Sequence, residues 1–498
     1  MSHHDGMRRS WTHPSCPRPR QCLTACGWLR ISADSFTHLS TCYDSEYKSD
    51  CRRGPKRGHL GNRMATILFA PLPLAGHINP TLKLAKALRA RGHRVVYCSL
   101  PDIEAALQGE GFEFIPVFSS IFPKGLVAEM SAKASQLRGR ELRRLARDHI
   151  QRRNAVLQAA LDGEYDRLLQ ALRPDLVLCD DRVIDLSIVC HGHGIPVARL
   201  NTTLPQHLVH LLPTGAGKPP LSGLTTVLRW LEFVLGRVGL VPRFQEYHRR
   251  LALKHGCPME SVGFPPFQLP LLRDVVLFPR EFATPETPEG RARVYHLGPS
   301  IDLERQEPEF PWERLQDDRP LIYFSLGTLA LSGQTRRVLE LVREVAAMRP
   351  EWQFVLAVGA QLDPANFDGG PARIVAVRHA PQIKLLRKAA AMITHGGFNS
   401  VKECIYFGVP MVALPLKDDQ PDVARILVHH GLGVQGTVKH LTSGALLSLL
   451  DSVVGSPPHA QALARMSRCF REAESTEADV ATLEHFLSGS QAALAKAG

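Results

Sequence analysis

The chain has 498 residues, too many for one ordinary domain and a fit for two α/β units with appendages. Its formal net charge is +12, but half of that surplus sits in residues 1–63, and the rest hardly calls for a nucleic-acid partner.

Those first 63 residues hold Cys16, Cys22, Cys26, Cys42 and Cys51, carry 11 Lys/Arg against 5 Asp/Glu, and show no apolar periodicity. The segment has neither the core of a secretory signal nor the length of a membrane span. Its cysteine spacings fit no paired metal motif. It is expected to be a disordered basic extension, with Met64 as the start of the folded chain. The other six cysteines are scattered, Cys98 and Cys179 within apolar runs, which points to a reducing cytoplasm.

From Ala65 to Ala70 the chain reads as a buried strand, Pro71–Asn79 as a loop carrying His77, and Thr81 to Arg91 as a helix with apolar Leu82, Leu84, Ala85 and Leu88. Further strands are expected at Val95–Ser99, Leu176–Cys179 and Pro196–Leu200. Between them, Arg138 to Arg153 carries seven arginines interleaved with Leu142, Leu145 and Ile150. This is a helix with either a solvated basic face or weak affinity for a membrane surface. The run Pro174 to Asp181 is an apolar strand ending in two acids. A Pro/Gly-rich insertion follows from Pro213 to Gly223, a Pro-rich segment near Cys257–Pro270, and a Pro/Glu-rich linker from Glu307 to Pro320. The expected plan is a first domain over 64–303, a linker over 304–320, a second domain over 321–477, and a final segment, 478–498, whose helix packs back on the first domain. Repeated strand–helix units predict doubly wound parallel sheets in both halves.

The second half opens with Leu321 to Phe324, an apolar strand, followed by Ser325-Leu326-Gly327-Thr328, a small-residue turn. Its richest stretch runs from His379 to Gln420. There Ala391–Thr394 feeds His395, Gly396 and Gly397, and a helix begins near Asn399 and Ser400. A strand running into a helix N-terminus through glycines is where diphosphates bind: the backbone can approach closely, and unpaired amides with the positive dipole end stabilise anionic oxygens. His395 and Ser400 add side-chain donors. Glu403 lies about one turn further on, within reach of ribose hydroxyls. After the strand at Met411–Leu414, Asp419 and Gln420 pair an acceptor with an amide, a combination suited to sugar hydroxyls.

In order, His379-Ala380-Pro381-Gln382, His395 to Glu403, Gly408 to Met411 and Asp419-Gln420 resemble the signature segment of the UDP-glycosyltransferase family. These are inverting enzymes of the GT-B fold, two Rossmann-like domains facing across a cleft. The resemblance implies that His379 stacks on the base with Gln382 in the same turn, and that His395, Gly397, Asn399 and Ser400 hold the diphosphate. Glu403 would take the ribose, and Asp419 with Gln420 the sugar. Plant members carry Trp where this chain has His379, so the stacking surface here is smaller. By the same resemblance, Ser325 and Thr328 face the nucleotide or diphosphate, although such a turn could equally cap a helix. His77 would be the general base, supported by Asp180 on register or by its neighbour Asp181.

A neutral hydroxyl is a poor nucleophile, so a positioned imidazole that takes its proton, with a carboxylate behind it, answers what the transfer needs. The turn Leu200 to Pro205 and the continuation after Asp419 resemble bacterial carotenoid (zeaxanthin-type) and macrolide glucosyltransferases. This implies a lipophilic alcohol of the carotenoid, polyketide or sterol class as acceptor, while Asp419-Gln420 resembles members that use UDP-glucose, which implies that donor. No metal and no cofactor beyond the nucleotide sugar are expected. A nicotinamide oxidoreductase is disfavoured because Ala70 to Asn79 lacks the GxGxxG spacing. A non-catalytic partner protein of the same fold is the other alternative, and it has no need to keep both His77 and the donor series.

Overall fold

Helices cover both faces of a parallel sheet, so its strands can be apolar throughout, and alternate residues fill separate cores. In the computed structural model Ile67 and Phe69 pack on one side of the first sheet while Leu68 and Ala70 pack on the other. The same alternation places Leu321 and Tyr323 on one face of the second sheet and Ile322 and Phe324 on the opposite face. The structure describes residues 64–137, 139–205, 243–258, 273–282, 294–327, 332–369, 373–416 and 419–494. The expectations for residues 1–63, Pro213 to Gly223 and Thr328, and for most of the segment ending at Pro270, lie outside these residues.

The first half contains β1 (Thr66–Ala70), α1 (Ala75–Ala90), β2 (Arg94–Ser99), α2 (Glu104–Gly109), β3 (Glu113–Pro116), α3 (Leu126–Gln136), α4 (Gly139–Leu161) and α5 (Glu164–Leu172). It continues with β4 (Leu176–Asp180), α6 (Ile184–Gly192), β5 (Val197–Asn201), α7 (Phe244–Lys254), β6 (Arg273–Val276) and β7 (Val294–His296). The second half contains β8 (Leu321–Ser325), α8 (Ser332–Met348), β9 (Gln353–Ala357), β10 (Ile374–Val377), α9 (Gln382–Leu386), β11 (Ala389–Thr394) and α10 (Phe398–Phe407). Then follow β12 (Met411–Ala413), α11 (Gln420–His429), β13 (Gly433–Gln435), α12 (Ser443–Val453), α13 (Pro457–Glu472) and α14 (Thr476–Leu494).

The strands run in the orders β3-β2-β1-β4-β5-β6-β7 and β10-β9-β8-β11-β12-β13, parallel throughout. Strand order reverses between β1 and β4 in one sheet and between β8 and β11 in the other. At such switch points the connections leave in opposite directions and open a crevice beyond the strand ends. Among the described residues, no helix is long and apolar enough to cross a membrane.

Two packing features fix the halves against each other. Phe278 and Phe282 of the first half meet Phe398, the first residue of α10, with ring centroids 5.2 and 5.7 Å apart, and Phe282 also meets Phe470 at 5.8 Å. On the other side, α14 sends Val480, Leu483 and Phe486 into the core of the first sheet. Phe486 packs edge-on against Tyr295 at 4.8 Å, and Asp479 accepts from the Gly298 amide at 3.0 Å.

One boundary differs from the reading of the sequence. The loop expected over Pro71–Asn79 ends early, because α1 begins at Ala75, so that His77 lies in its first turn and Pro80 within it. Proline has no N–H to give the carbonyl four residues back, that of Gly76, and a helix usually tolerates this poorly. Here the side-chain amide of Asn399 donates to the Gly76 carbonyl instead. The orphan acceptor is satisfied from the other half of the chain.

Lys402, on α10, is buried to 2% exposure and donates to the Pro299 carbonyl at 3.1 Å. Burial, only partly countered by the charges of Glu403 and Glu474, pushes its ammonium down to about 7. Between that value and the roughly 10.4 of an unfolded lysine, the unfolded chain binds more protons, so stability rises with pH and is lost again as pH falls toward 7. Denaturant unfolding at pH 7, 8 and 9 is expected to show this rise in the natural chain. Lys402→Met is expected to flatten it, and an unchanged slope in the variant would place the titration elsewhere.

Candidate functional site

The C-terminal ends of β1, β4 and β5 bring three polar side chains together. Asp180 closes β4, where Ala70 pairs with Cys179 beside it, and His77 comes from the helix that follows β1. His77 Nδ1 lies 2.7 Å from Asp180 Oδ2 and 2.8 Å from Thr202 Oγ1. The Thr202 hydroxyl is in turn 3.2 Å from Asp180 Oδ2, to which it donates. This network assigns the proton to Nδ1 and leaves Nε2 as the ring's acceptor. Burial alone would lower the His77 pKa, but the Asp180 hydrogen bond and charge outweigh it, and the imidazole lies above its ordinary 6.5. Burial likewise opposes ionisation of Asp180, and the bond from His77 overrides it, holding the carboxyl below the usual carboxylate range.

Asp181, the other acid of the pair, plays a different part. Burial, reinforced by the charge of Asp180 beside it, pushes its carboxyl up to about 7. It is Asp180, 2% exposed, that contacts the imidazole.

Across the crevice, β8 ends at Ser325 and β11 at Thr394, and these two residues are in register. His395 follows, with its ring between two glycines. A Cβ on Gly327 would stand 2.7 Å from the ring, and one on Gly397 would clash with Nε2. Only glycine at both positions leaves space for the imidazole. Gly396 turns the chain at a φ of 77°, Gly397 is the N-cap of α10, and Asn399 and Ser400 fall in the helix's first turn. Ser325 Oγ accepts from the Gly327 amide at 3.4 Å.

Gln382, Ser400 and Glu403 form one network. Gln382 Nε2 donates to Ser400 Oγ at 3.3 Å and to Glu403 Oε2 at 2.5 Å, while Tyr323 Oη donates to Gln382 Oε1 at 3.2 Å. Glu403 is also held by both terminal guanidinium nitrogens of Arg305, Nη1 and Nη2, at 2.5 and 3.3 Å. This bidentate pair fixes the plane of the carboxylate and leaves little of its acceptor capacity free.

Asp419 stands at the N-cap position of α11 without a side-chain capping bond and accepts from the backbone amide of Leu204, in the loop after β5, at 3.4 Å. Gln420 Oε1 accepts from the Leu416 amide at 2.9 Å. Both residues are buried. His379 stands apart on an exposed bend after β10, and Thr328 lies outside the described residues.

Three contributors escaped the sequence reading as site residues. Arg305 sits in the linker with no motif around it. Tyr323 passes for an ordinary strand residue. Thr202 belongs to the quoted turn after β5, but only the fold shows that its hydroxyl reaches the His77–Asp180 pair.

The arrangement pairs a buried imidazole–carboxylate dyad with a glycine-bounded helix N-terminus at facing switch points. Comparison with known proteins agrees. Residues 305–483 match the family described as UDP-glucoronosyl and UDP-glucosyl transferase. The NDP-glycosyltransferase YjiC of Bacillus licheniformis is 27% identical over 431 residues, covering 85% of this chain and 98% of the relative. The zeaxanthin glucosyltransferase of Pantoea ananas is 24% identical over 440 residues, covering 86% and 97%. Among solved structures, the glycosyltransferase of kitacinnamycin superposes with a TM-score of 0.62 at 24% identity, covering 85% of this chain and 99% of that one. Residues 305–483 are similar to the UDP-glucuronosyl and UDP-glucosyl transferase family, and the chain is a glycosyltransferase with the GT-B fold.

Proposed function

We propose that this glycosyltransferase moves glucose from UDP-glucose to a hydroxyl of a lipophilic small molecule, with inversion and without a metal or further cofactor. The observation that carries the reading is the buried His77–Asp180 pair, whose imidazole is ordered through Nδ1 at the strand ends facing α10.

In this mechanism His77 Nε2 takes the proton of the acceptor hydroxyl as its oxygen attacks the anomeric carbon and the bond to the diphosphate breaks. Asp180 stabilises the imidazolium that forms, and Thr202 keeps the carboxylate aimed at it. The leaving diphosphate is received by the amides of the first turn of α10 and by His395, Gly397, Asn399 and Ser400, a preorganised set of donors at the positive end of a helix. Ser325 extends this side, His379 and Gln382 serve the base, Glu403 the ribose, and Asp419 with Gln420 the sugar. The Glu403 carboxylate binds ribose by sharing with, or exchanging, its Arg305 and Gln382 partners.

Support for a lipophilic acceptor comes from the likeness to the zeaxanthin glucosyltransferase and from the apolar run around the loop after β5. On α4 the exposed Arg140, Arg143, Arg144 and Arg147 supply a basic face for weak contact with an anionic membrane, where such acceptors reside. The reaction is assigned to the cytoplasm, where buried free thiols such as Cys98 and Cys179 stay reduced.

Calorimetric titration with UDP, UDP-glucose and TDP-glucose in EDTA-containing buffer tests the donor side. Preference for UDP-glucose without metal is the expected result. Absence of binding by all three would favour the non-catalytic partner protein. His77→Ala is expected to lower kcat by about 10²–10⁴-fold while leaving UDP affinity unchanged. Rapid transfer by that variant would sink the role of the imidazole. Because a base works deprotonated, activity rises as pH passes the His77 pKa, and that pKa is raised by Asp180. Asp180→Asn is therefore expected to move the acid limb of the kcat/KM profile to lower pH while reducing its plateau.

A further inference from the structure

Away from the cleft, the first domain gathers a second group of polar side chains that the transfer reaction does not use. Asp166 projects from α5, His193 immediately follows α6, and His255 immediately follows α7. One ligand atom from each lies within 4.8 Å of the others. His193 Nε2 is 2.7 Å from Asp166 Oδ1, and His255 Nε2 is 3.8 Å from Asp166 Oδ2. The His255 side chain is only 7% exposed, and its buried Nε2 has no hydrogen-bond partner. Its ring is seated against Gly192, where a Cβ would come within 2.5 Å of Nδ1, so the backbone is shaped to hold the imidazole there. A buried ring nitrogen aimed at a carboxylate and a second imidazole, yet unpaired, is costly unless something joins them.

We infer that Asp166, His193 and His255 form a binding site for a divalent first-row transition metal of the zinc class. The ligands are His193 Nε2, His255 Nε2 and a carboxylate oxygen of Asp166, with water completing a tetrahedron. A metal at bond lengths of about 2.0–2.1 Å needs its ligand atoms about 3.4 Å apart, so His193 and Asp166 part slightly and His255 moves in. Lys254 Nζ, 3.0 Å from Asp166 Oδ2, already sets a cation on this carboxylate. Its side chain is 41% exposed and flexible enough to give way to a metal. The three ligands tie α5, α6 and α7 together. Since α6 leaves the cleft end of β4 and runs nine residues, about 13 Å, before reaching His193, the metal stands clear of His77 and takes no part in transfer.

The test uses the full chain, stripped with EDTA, dialysed and titrated with Co²⁺ and then Zn²⁺. One equivalent of Co²⁺ is expected to give visible d–d bands without thiolate charge transfer in the near ultraviolet, and Zn²⁺ is expected to displace it. His255→Ala and Asp166→Asn are expected to lose that equivalent while keeping the near-ultraviolet circular dichroism of the fold. Lys254→Ala, which removes the competing cation, is expected to tighten binding by about tenfold. This variant keeps the test open if a ligand substitution fails to fold. Absence of the visible bands, their survival in both ligand variants, a charge-transfer band pointing to the cysteines of residues 1–63, or weaker binding by Lys254→Ala would each overturn the assignment.

Discussion

Parallel strands buried on both faces leave little room for unpaired polar groups along their length, and this constraint governs where the site lies. In both sheets the polar side chains of the candidate site lie at the C-terminal ends, where the reversal of strand order opens a crevice, while polar groups within the strands, such as Arg199 and Asp274, pair with each other. Asp180 and Thr202 come from the ends of β4 and β5, and His77 from the first turn of α1, the helix after β1. Ser325 and His395 occupy the matching places beyond β8 and β11. The two halves are then held end to end by aromatic packing at Phe398 and by polar contacts between the rims, from Asn399 to Gly76 and from Leu204 to Asp419.

Burial makes these rims electrostatically demanding. Each ionised group near the cleft is answered by a specific partner: Asp180 by His77 and Thr202, Glu403 by Arg305 and Gln382. Removing one member of a buried ion pair strands the other at a cost of about 3–5 kcal/mol, which is why such residues resist single substitution. The same economy separates the two acids at the end of β4. Asp180 stays ionised because it is paired, and the burden of adjacent charge falls on Asp181, whose carboxyl is pushed up to about 7.

Much of this was legible in the chain itself. The apolar runs at Ala65–Ala70, Leu176–Cys179, Leu321–Phe324 and Ala391–Thr394 became strands because uninterrupted β-compatible residues between turn signals have few other uses. The His395 to Glu403 series was legible because glycine spacing at a helix start has a physical meaning that survives without coordinates. The start of α1 was not, since Pro80 argues locally against a helix and only a contact from Asn399, 323 residues away in sequence, resolves the objection. Arg305, Tyr323 and Thr202 were missed as site residues for a related reason: their roles come from partners brought close by the fold, and no local pattern announces them. The cluster of Asp166, His193 and His255 likewise has no ligand spacing to read, because three separate helix ends supply it.

Gly76 and Pro80 are spaced so that the proline withholds the one N–H that the glycine carbonyl would otherwise receive, and Asn399 of the other half supplies the replacement. The two halves are therefore not interchangeable cassettes. A chimera that kept the donor half and imported an acceptor half lacking this four-residue spacing would present Asn399 with a carbonyl already engaged in its own helix. One that kept the acceptor half and lost the asparagine would leave the exposed Gly76 carbonyl to water and lose this tie between the halves. Recombination of halves keeps this contact only when the proline and the asparagine travel together, although they lie in different domains and neither belongs to the His77–Asp180 pair.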